Sequence, residues 1–196
     1  MSGRGKSAHP PGKIRIVAGT KRGHKIAVPE TENLRPTGER VREAIFGALG
    51  PINGLRVLDL FAGTGAMGLE ALSRGAADCV FVESDRVALA TLRQNIQLLD
   101  FESSSRVLSI DYKVALHRLA SEGKTFDLLF ADPPYRMLSE VEASLQPHLS
   151  RLLVENGVLV VEGPRSSEVG LSRVPVFDRV YGDTRVTMIS MGSDDQ

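Results

Sequence analysis

The sequence predicts an α/β fold: a doubly wound, mostly parallel sheet that ends in a C-terminal antiparallel hairpin and is preceded by a basic N-terminal β-hairpin and helix. Three observations predict it. From Leu55 onward, short runs rich in Val, Leu and Phe alternate with segments of helical spacing, the pattern of a parallel sheet covered on both faces. A glycine turn, Gly63-x-Gly65-x-x-Gly68, directly follows the first of these runs. Near the end, two strand-like segments are separated only by Gly182-Asp183, a hairpin signature.

The strand-like runs are Leu55–Phe61, Asp78–Val82, Arg106–Ile110, Phe126–Ala131 and Val158–Glu162. Between them, Arg86–Leu99 has helical spacing, with Val87, Ala90, Ile96 and Leu99 able to share one face. Val174–Tyr181 and Thr184–Met191 supply the two strands of the edge hairpin. Upstream, Lys13–Ala18 alternates charged and apolar residues, Gly19–Gly23 is a turn, and His24–Val28 is a second strand. A helix begins at Pro36-Thr37, with Thr37 as N-cap, and runs to about Leu49; Val41, Ile45 and Leu49 form its apolar stripe. The organisation expected is a disordered basic arm (1–12), a hairpin and helix (13–50), and a main domain (51–192).

The 196 residues, 42% hydrophobic, suit one domain with a short extension. Lys+Arg and Asp+Glu are 24 each, so the chain is formally neutral. The balance hides an asymmetry. Through Arg42 there are ten basic residues against three acidic, a net of +7, which leaves −7 for the remainder. A basic end on a neutral chain points to a local anionic partner. Cys79 is the only cysteine, so no internal disulfide can form and a reducing compartment is expected. No apolar run approaches the roughly 20 residues of a membrane span, and the N-terminus has no secretory apolar core. Cytoplasmic location follows as the expectation. His9, His24, His117 and His148 show no ligand spacing, so no metal site is expected.

The glycine turn opens a helix where backbone can approach a ligand closely. By itself the spacing also fits a dinucleotide fingerprint, or a tight strand–helix turn of any α/β domain. Three acids sharpen it. Asp59 is a charged residue inside an apolar strand, costly unless hydrogen-bonded, and can orient the loop amides or a ligand amine. Glu83, 20 positions after Gly63, ends the next strand, where a carboxylate can accept ribose hydroxyls. Asp111 ends the third strand, within reach of an adenine edge. Together they mark a nucleoside-binding crevice. Its expected contacts are Asp59, Phe61, Ala62, Gly63, Thr64, Gly65, Glu83, Ser84, Asp111 and Tyr112.

Ala131-Asp132-Pro133-Pro134-Tyr135 follows the fourth strand. Two prolines stiffen an extended loop and remove two amide donors. Asp132 adds an acceptor and Tyr135 a flat aromatic face, so the loop can grip an aryl amine: the ring stacks on Tyr135 while the NH2 donates to Asp132 and to the Pro133 carbonyl.

On these residues the chain resembles a known family. Asp/Asn-Pro-Pro-Tyr/Phe is the signature of class I amino-methyltransferases, and its Asp form leans toward nucleic acid. The chain from about Lys13 to Met191 is similar to the bacterial 16S ribosomal RNA guanine-N2 methyltransferase family (RsmD-like). The likeness is carried by Ile14–Gly19, Arg22-Gly23, Leu34–Thr37, Arg40–Glu43, Leu58–Gly65, Gly68–Ala76 and Asp132–Tyr135. Tyr135 stands where members often have Phe, a change that keeps the stacking face. The resemblance implies a seven-stranded class I (Rossmann-like) methyltransferase domain that uses S-adenosylmethionine and no metal. It implies Asp132, Pro133, Pro134 and Tyr135 as the catalytic loop. It also implies a guanine of 16S rRNA as substrate, within a small-subunit ribonucleoprotein particle. The basic end would then bind RNA through Lys13, Arg15, Lys21, Arg22, Lys25, Arg35, Arg40 and Arg42; Arg35 and Thr37 can instead face the methionine end of the cofactor. A monomer is expected. The alternatives are a DNA adenine-N6 methyltransferase, which 196 residues leave little room for, an NAD-dependent oxidoreductase, and a non-catalytic RNA-binding assembly factor.

Overall fold

The computed structural model describes residues 12–29 and 38–192. In chain order the elements are β1 (Gly12–Arg15), β2 (Lys25–Val28), α1 (Glu39–Leu49), β3 (Arg56–Asp59), α2 (Ala66–Ser73), β4 (Asp78–Val82), α3 (Arg86–Leu98), β5 (Ser105–Leu108), α4 (Tyr112–Ser121), β6 (Phe126–Ala131), α5 (Leu138–Leu145), α6 (Leu149–Leu152), β7 (Leu153–Pro164), β8 (Phe177–Tyr181) and β9 (Thr184–Ser190). Seven strands form one sheet in the order β5-β4-β3-β6-β7-β9-β8. The first five of these are mutually parallel, and β9 and β8 complete the edge antiparallel. This is the doubly wound sheet with a terminal hairpin that the sequence predicts. β1 and β2 pair separately, antiparallel.

Alternation along the strands divides the core in two. Val57 and Phe130 face the side covered by α1, α2 and α3, in a cluster with Phe46, Leu69, Phe81, Leu92 and Val160. Leu58 and Leu129 face the side covered by α4, α5 and α6, with Leu116, Val141 and Leu159. The N-terminal hairpin contributes Ile16 and Ile26, both essentially inaccessible, to the first cluster. Each such side chain stabilises by roughly 1.5–3 kcal/mol on burial. The core therefore runs continuously across residue 50, and the boundary drawn there from the sequence is one of charge.

Several element limits differ from expectation. β1 stops at Arg15, not Ala18, because the Val17 and Ala18 amides donate to the Glu70 carboxylate instead of to β2. The N-cap of α1 is Gly38; Thr37, the expected cap, lies outside the described residues, as do Arg35 and the basic arm through residue 11. α3 buries Ala88, Leu89, Leu92, Asn95 and Ile96, so its inward stripe is displaced from the expected one, and Val87 (49% exposed) and Ala90 face outward. β7 begins five residues early, at Leu153, because a register shift lets Leu153 pair with Phe126 before the ladder resumes at Val158. Among the described residues no helix is long and apolar enough to cross a membrane.

Candidate active site

β4 lies on one side of β3 and β6 on the other, so the carboxyl ends of β3 and β6 flank a topological switch point, where open α/β sheets bind ligands. Both halves of the sequence-predicted site open there. After β3, Gly63 (φ 53°) and Gly65 (φ 87°) adopt the left-handed conformation that glycine tolerates. A Cβ on Gly65 would come within 2.5 Å of Leu92 Cδ1 and 3.0 Å of Leu69 Cδ1. Packing against α2 and α3, more than ligand approach, thus demands this glycine. At Gly68 a Cβ would meet the Phe81 ring at 2.3 Å, so α2 sits directly on β4.

Two acids fix the loop. Asp59, only 4% exposed, accepts the Gly68 amide at 3.0 Å. Desolvation pushes its pKa up to about 7; the Gly68 bond opposes this, and the charges of Asp132 and Glu83 add to it. Glu83 takes the Gly63 amide on one oxygen at 2.8 Å, and the Ser84 and Asp85 amides on the other at 2.7 and 2.8 Å. Its carboxylate therefore latches the glycine loop to the end of β4. Ala62 donates to the Val82 carbonyl at 3.0 Å, which adds a backbone tie between loop and strand. The Thr64 carbonyl accepts from Asn95 Nδ2 at 2.9 Å.

The charges of Asp132 and Glu83 both reach Asp59, which places each of them near it at the strand ends. Asp111 is exposed after β5, where its carboxylate caps α4 by accepting the Lys113 amide at 2.8 Å. Tyr112 is buried, its ring 5.0 Å from that of Phe61, so the two support the floor between the β3 and β5 loops.

The second half of the site follows β6. Pro133 is buried, Pro134 exposed, and Asp132 half-buried. The Pro134 carbonyl accepts the Met137 amide at 2.7 Å, closing one 3-10 turn over Tyr135–Met137. Tyr135 is 41% exposed, and its Oη bonds Thr184 Oγ1 of β9 at 3.1 Å. The ring is thereby anchored at its hydroxyl while part of its surface stays open to solvent. Phe46 of α1 makes an edge contact with Phe130, two residues before Asp132, with centroids 5.7 Å apart.

The basic residues of the N-terminal segment divide. Arg15 and Lys25 are cross-strand partners, and with Lys13 they share the outer face of the hairpin. Arg22 and Arg40 are also exposed. Arg15 pairs with Glu39 at 2.9 Å, and Lys21 with Asp100 at 2.8 Å, while Lys21 also lies over the Phe101 ring. Arg42 is corrected: at 1% exposure it cannot reach a phosphate, and it donates to the Arg15 carbonyl at 2.7 Å. Burial pulls its pKa down, while the charges of Glu70, Glu39, Glu162 and Glu43 pull it up, so it is an internal fastener of α1.

Sequence reasoning missed the polar clasps that dock the hairpin. Glu70, fully buried in α2, accepts Val17 and Ala18 amides at 2.7 and 3.0 Å and Arg74 Nε at 2.7 Å. The Ser73 carbonyl takes the Thr20 amide at 2.7 Å, and its hydroxyl donates to the Ala18 carbonyl at 2.6 Å. Asn95 exchanges both hydrogen bonds with the Ala27 peptide, at 2.9 and 3.0 Å, and holds Thr64 besides. The available signal was a polar residue on an apolar helix stripe, which must find buried partners.

With this geometry in place, the chain can be set beside known proteins. It is 40% identical over 169 residues to ribosomal RNA small subunit methyltransferase D of Escherichia coli (strain K12), covering 84% of this chain and 80% of that protein. It is 36% identical over 162 residues to a putative rRNA methyltransferase, YlbH, of Bacillus subtilis (strain 168), covering 80% and 85% respectively. Among solved structures, the putative methyltransferase yhhF from Escherichia coli superposes with a TM-score of 0.79 at 33% identity, over 93% of this chain and 100% of that one. The model of the family described as "Conserved hypothetical protein 95" matches residues 14–189, so the chain belongs to that family.

Proposed function

We propose that the protein transfers a methyl group from S-adenosylmethionine to the exocyclic N2 amine of a guanine in small-subunit (16S) ribosomal RNA. The observation that carries this reading is the juxtaposition of the glycine loop and the Asp132–Tyr135 loop at the ends of adjacent strands, β3 and β6, paired at Leu58↔Leu129. The relatives named for small-subunit rRNA methylation support the substrate class.

The residues present suit the cofactor. Two left-handed glycines expose loop backbone, and a carboxylate stands at the end of the next strand. When bound, S-adenosylmethionine supplies an activated sulfonium methyl, so no covalent enzyme nucleophile is needed. The chain must place the amine in line, and positioning alone contributes several kcal/mol. Tyr135 offers its face to the guanine ring, its orientation set by the Thr184 bond. Asp132 and the Pro133 carbonyl accept the two N–H groups, draw the nitrogen lone pair toward the methyl and stabilise the charge that develops. Asp132 need not be a strong base, because the proton becomes acidic only as the N–C bond forms. Raised pKa and full burial make Asp59 a holder of the loop and not a proton acceptor for the base. The reading extends to a cytoplasmic monomer acting on an assembling ribonucleoprotein particle.

The test is methyl transfer from labelled S-adenosylmethionine to unmodified small subunits and to naked 16S rRNA, with mass spectrometry of the digested nucleosides. N2-methylguanosine is expected, more from particles than from naked RNA. N6-methyladenosine, or no transfer to either substrate, would refute the assignment.

A further inference from the structure

Three segments meet beside the acceptor loop. Tyr135 bonds Thr184; the Arg165 amide donates to the Asp183 carbonyl at 2.8 Å, and Pro164 pairs with Thr184 in the ladder. A Cβ on Gly163 would lie 2.8 Å from Leu138 Cδ2, so the chain leaving β7 rests on the start of α5. The end of β7 and the β8–β9 turn thus form one continuous rim with Tyr135. Arg136 and Arg165 stand on this rim, both exposed.

Neighbouring cations are already committed. Arg185 gives Nε and Nη2 to Asp178, both at 2.8 Å, and Nη1 to the Ser167 carbonyl at 2.6 Å, while Lys113 pairs with Glu140. Among the described residues, no ion pair ties the guanidinium of Arg136 or Arg165. Asp183 is an exposed carboxylate of the same rim, with its backbone carbonyl turned to Arg165. Two uncommitted guanidinium groups beside the base-accepting loop stand out, because the sequence beyond Arg42 carries a net −7. A base that reaches Tyr135 must be unstacked, and the backbone of its nucleotide then has to pass over the surface beside Tyr135. The planar fork of arginine matches phosphate oxygens in a bidentate way.

We propose that Arg136 and Arg165 bind the backbone phosphates flanking the target base, so that the C-terminal rim is a second RNA contact besides the basic hairpin. This rests on the methyl transfer to RNA proposed above. The rim adds affinity at the unstacked nucleotide itself, and the hairpin supplies affinity for the surrounding RNA.

The test compares the full chain with Arg136→Ala, Arg165→Ala and the double variant on small-subunit particles and on a 16S fragment. Each single variant should raise KM for RNA roughly three- to tenfold and lower the slope of log affinity against log salt by about one. Affinity for S-adenosylhomocysteine and kcat at saturating RNA should stay near the parent values, which a misfolded variant would not show. Arg→Lys at either site should restore the salt slope. A double variant with parental KM and salt slope would overturn the proposal, as would a kcat loss with both unchanged. If the parent protein transfers no methyl to RNA, the function itself fails and this contact with it.

Discussion

Replacing Glu70 with Gln tests whether the hairpin is held by the buried carboxylate. Glu70 receives three N–H groups: Val17 on Oε2, and Ala18 and Arg74 on Oε1. Glutamine has one acceptor oxygen. In its better orientation it keeps the Ala18 and Arg74 bonds and turns an NH2 toward the Val17 amide, two donors face to face. Leaving one buried amide unsatisfied costs about 1–3 kcal/mol. The two surviving bonds lose their charge assistance, which roughly halves them. Arg74 is partly exposed and recovers water, so its share is small. The expected loss is about 2–4 kcal/mol, a fall of about 1–1.5 M in the urea midpoint at the slope of a domain this size. Hydrogen exchange should quicken first at Val17 and Ala18. A loss below about 0.5 kcal/mol, with both amides still protected, would show that apolar burial of Ile16 and Ile26 alone docks the hairpin.

Other outcomes follow from the same geometry. Glu83→Gln should weaken S-adenosylhomocysteine binding by about 1.5–3 kcal/mol, read by calorimetry, because one carboxylate holds the Gly63 amide and, in the proposed function, also accepts the ribose hydroxyls; unchanged affinity would move the cofactor elsewhere. Asp132→Ala should keep most cofactor affinity and lose most methyl transfer. Tyr135→Phe should retain the stacking face but lose the Thr184 tie, giving a few-fold rise in KM where Tyr135→Ala gives a larger one; full turnover by Asp132→Ala would mean the amine is gripped by other groups. Asp59 keeps its proton in the folded chain up to about pH 7, whereas the unfolded chain loses it near pH 4, so its stabilising share is full below pH 4 and is lost as pH rises through 7. The stability of the parent relative to Asp59→Asn should therefore drop by no more than about 3 kcal/mol between pH 5 and pH 8 in urea titrations; an equal difference at both values would place the carboxylate in a wetter site. Asn95→Ala removes bonds to Ala27 and Thr64 together, and should lower both the melting temperature and the affinity for S-adenosylhomocysteine; loss of stability alone would leave the glycine loop independent of α3.

The alternation of Val-rich runs with helical segments determined the sheet, because a strand buried on both faces must be apolar throughout. The positions of Gly63, Gly65 and Asp132–Tyr135 at strand ends were equally legible, since local backbone chemistry marks them. What a residue meets across the fold was not. Arg42 reads as a surface cation in a basic segment, and only the packing of α1 against the Ile16 turn encloses it. Gly65 reads as ligand clearance, and only the approach of Leu92 shows that the core requires it. Glu70 and Asn95 look like ordinary helix residues until Val17, Ala18 and Ala27 arrive from 53, 52 and 68 positions away. Element type follows from local periodicity and turn chemistry, which the sequence states directly; the partners of buried polar groups depend on long-range register, which only the tertiary structure decides.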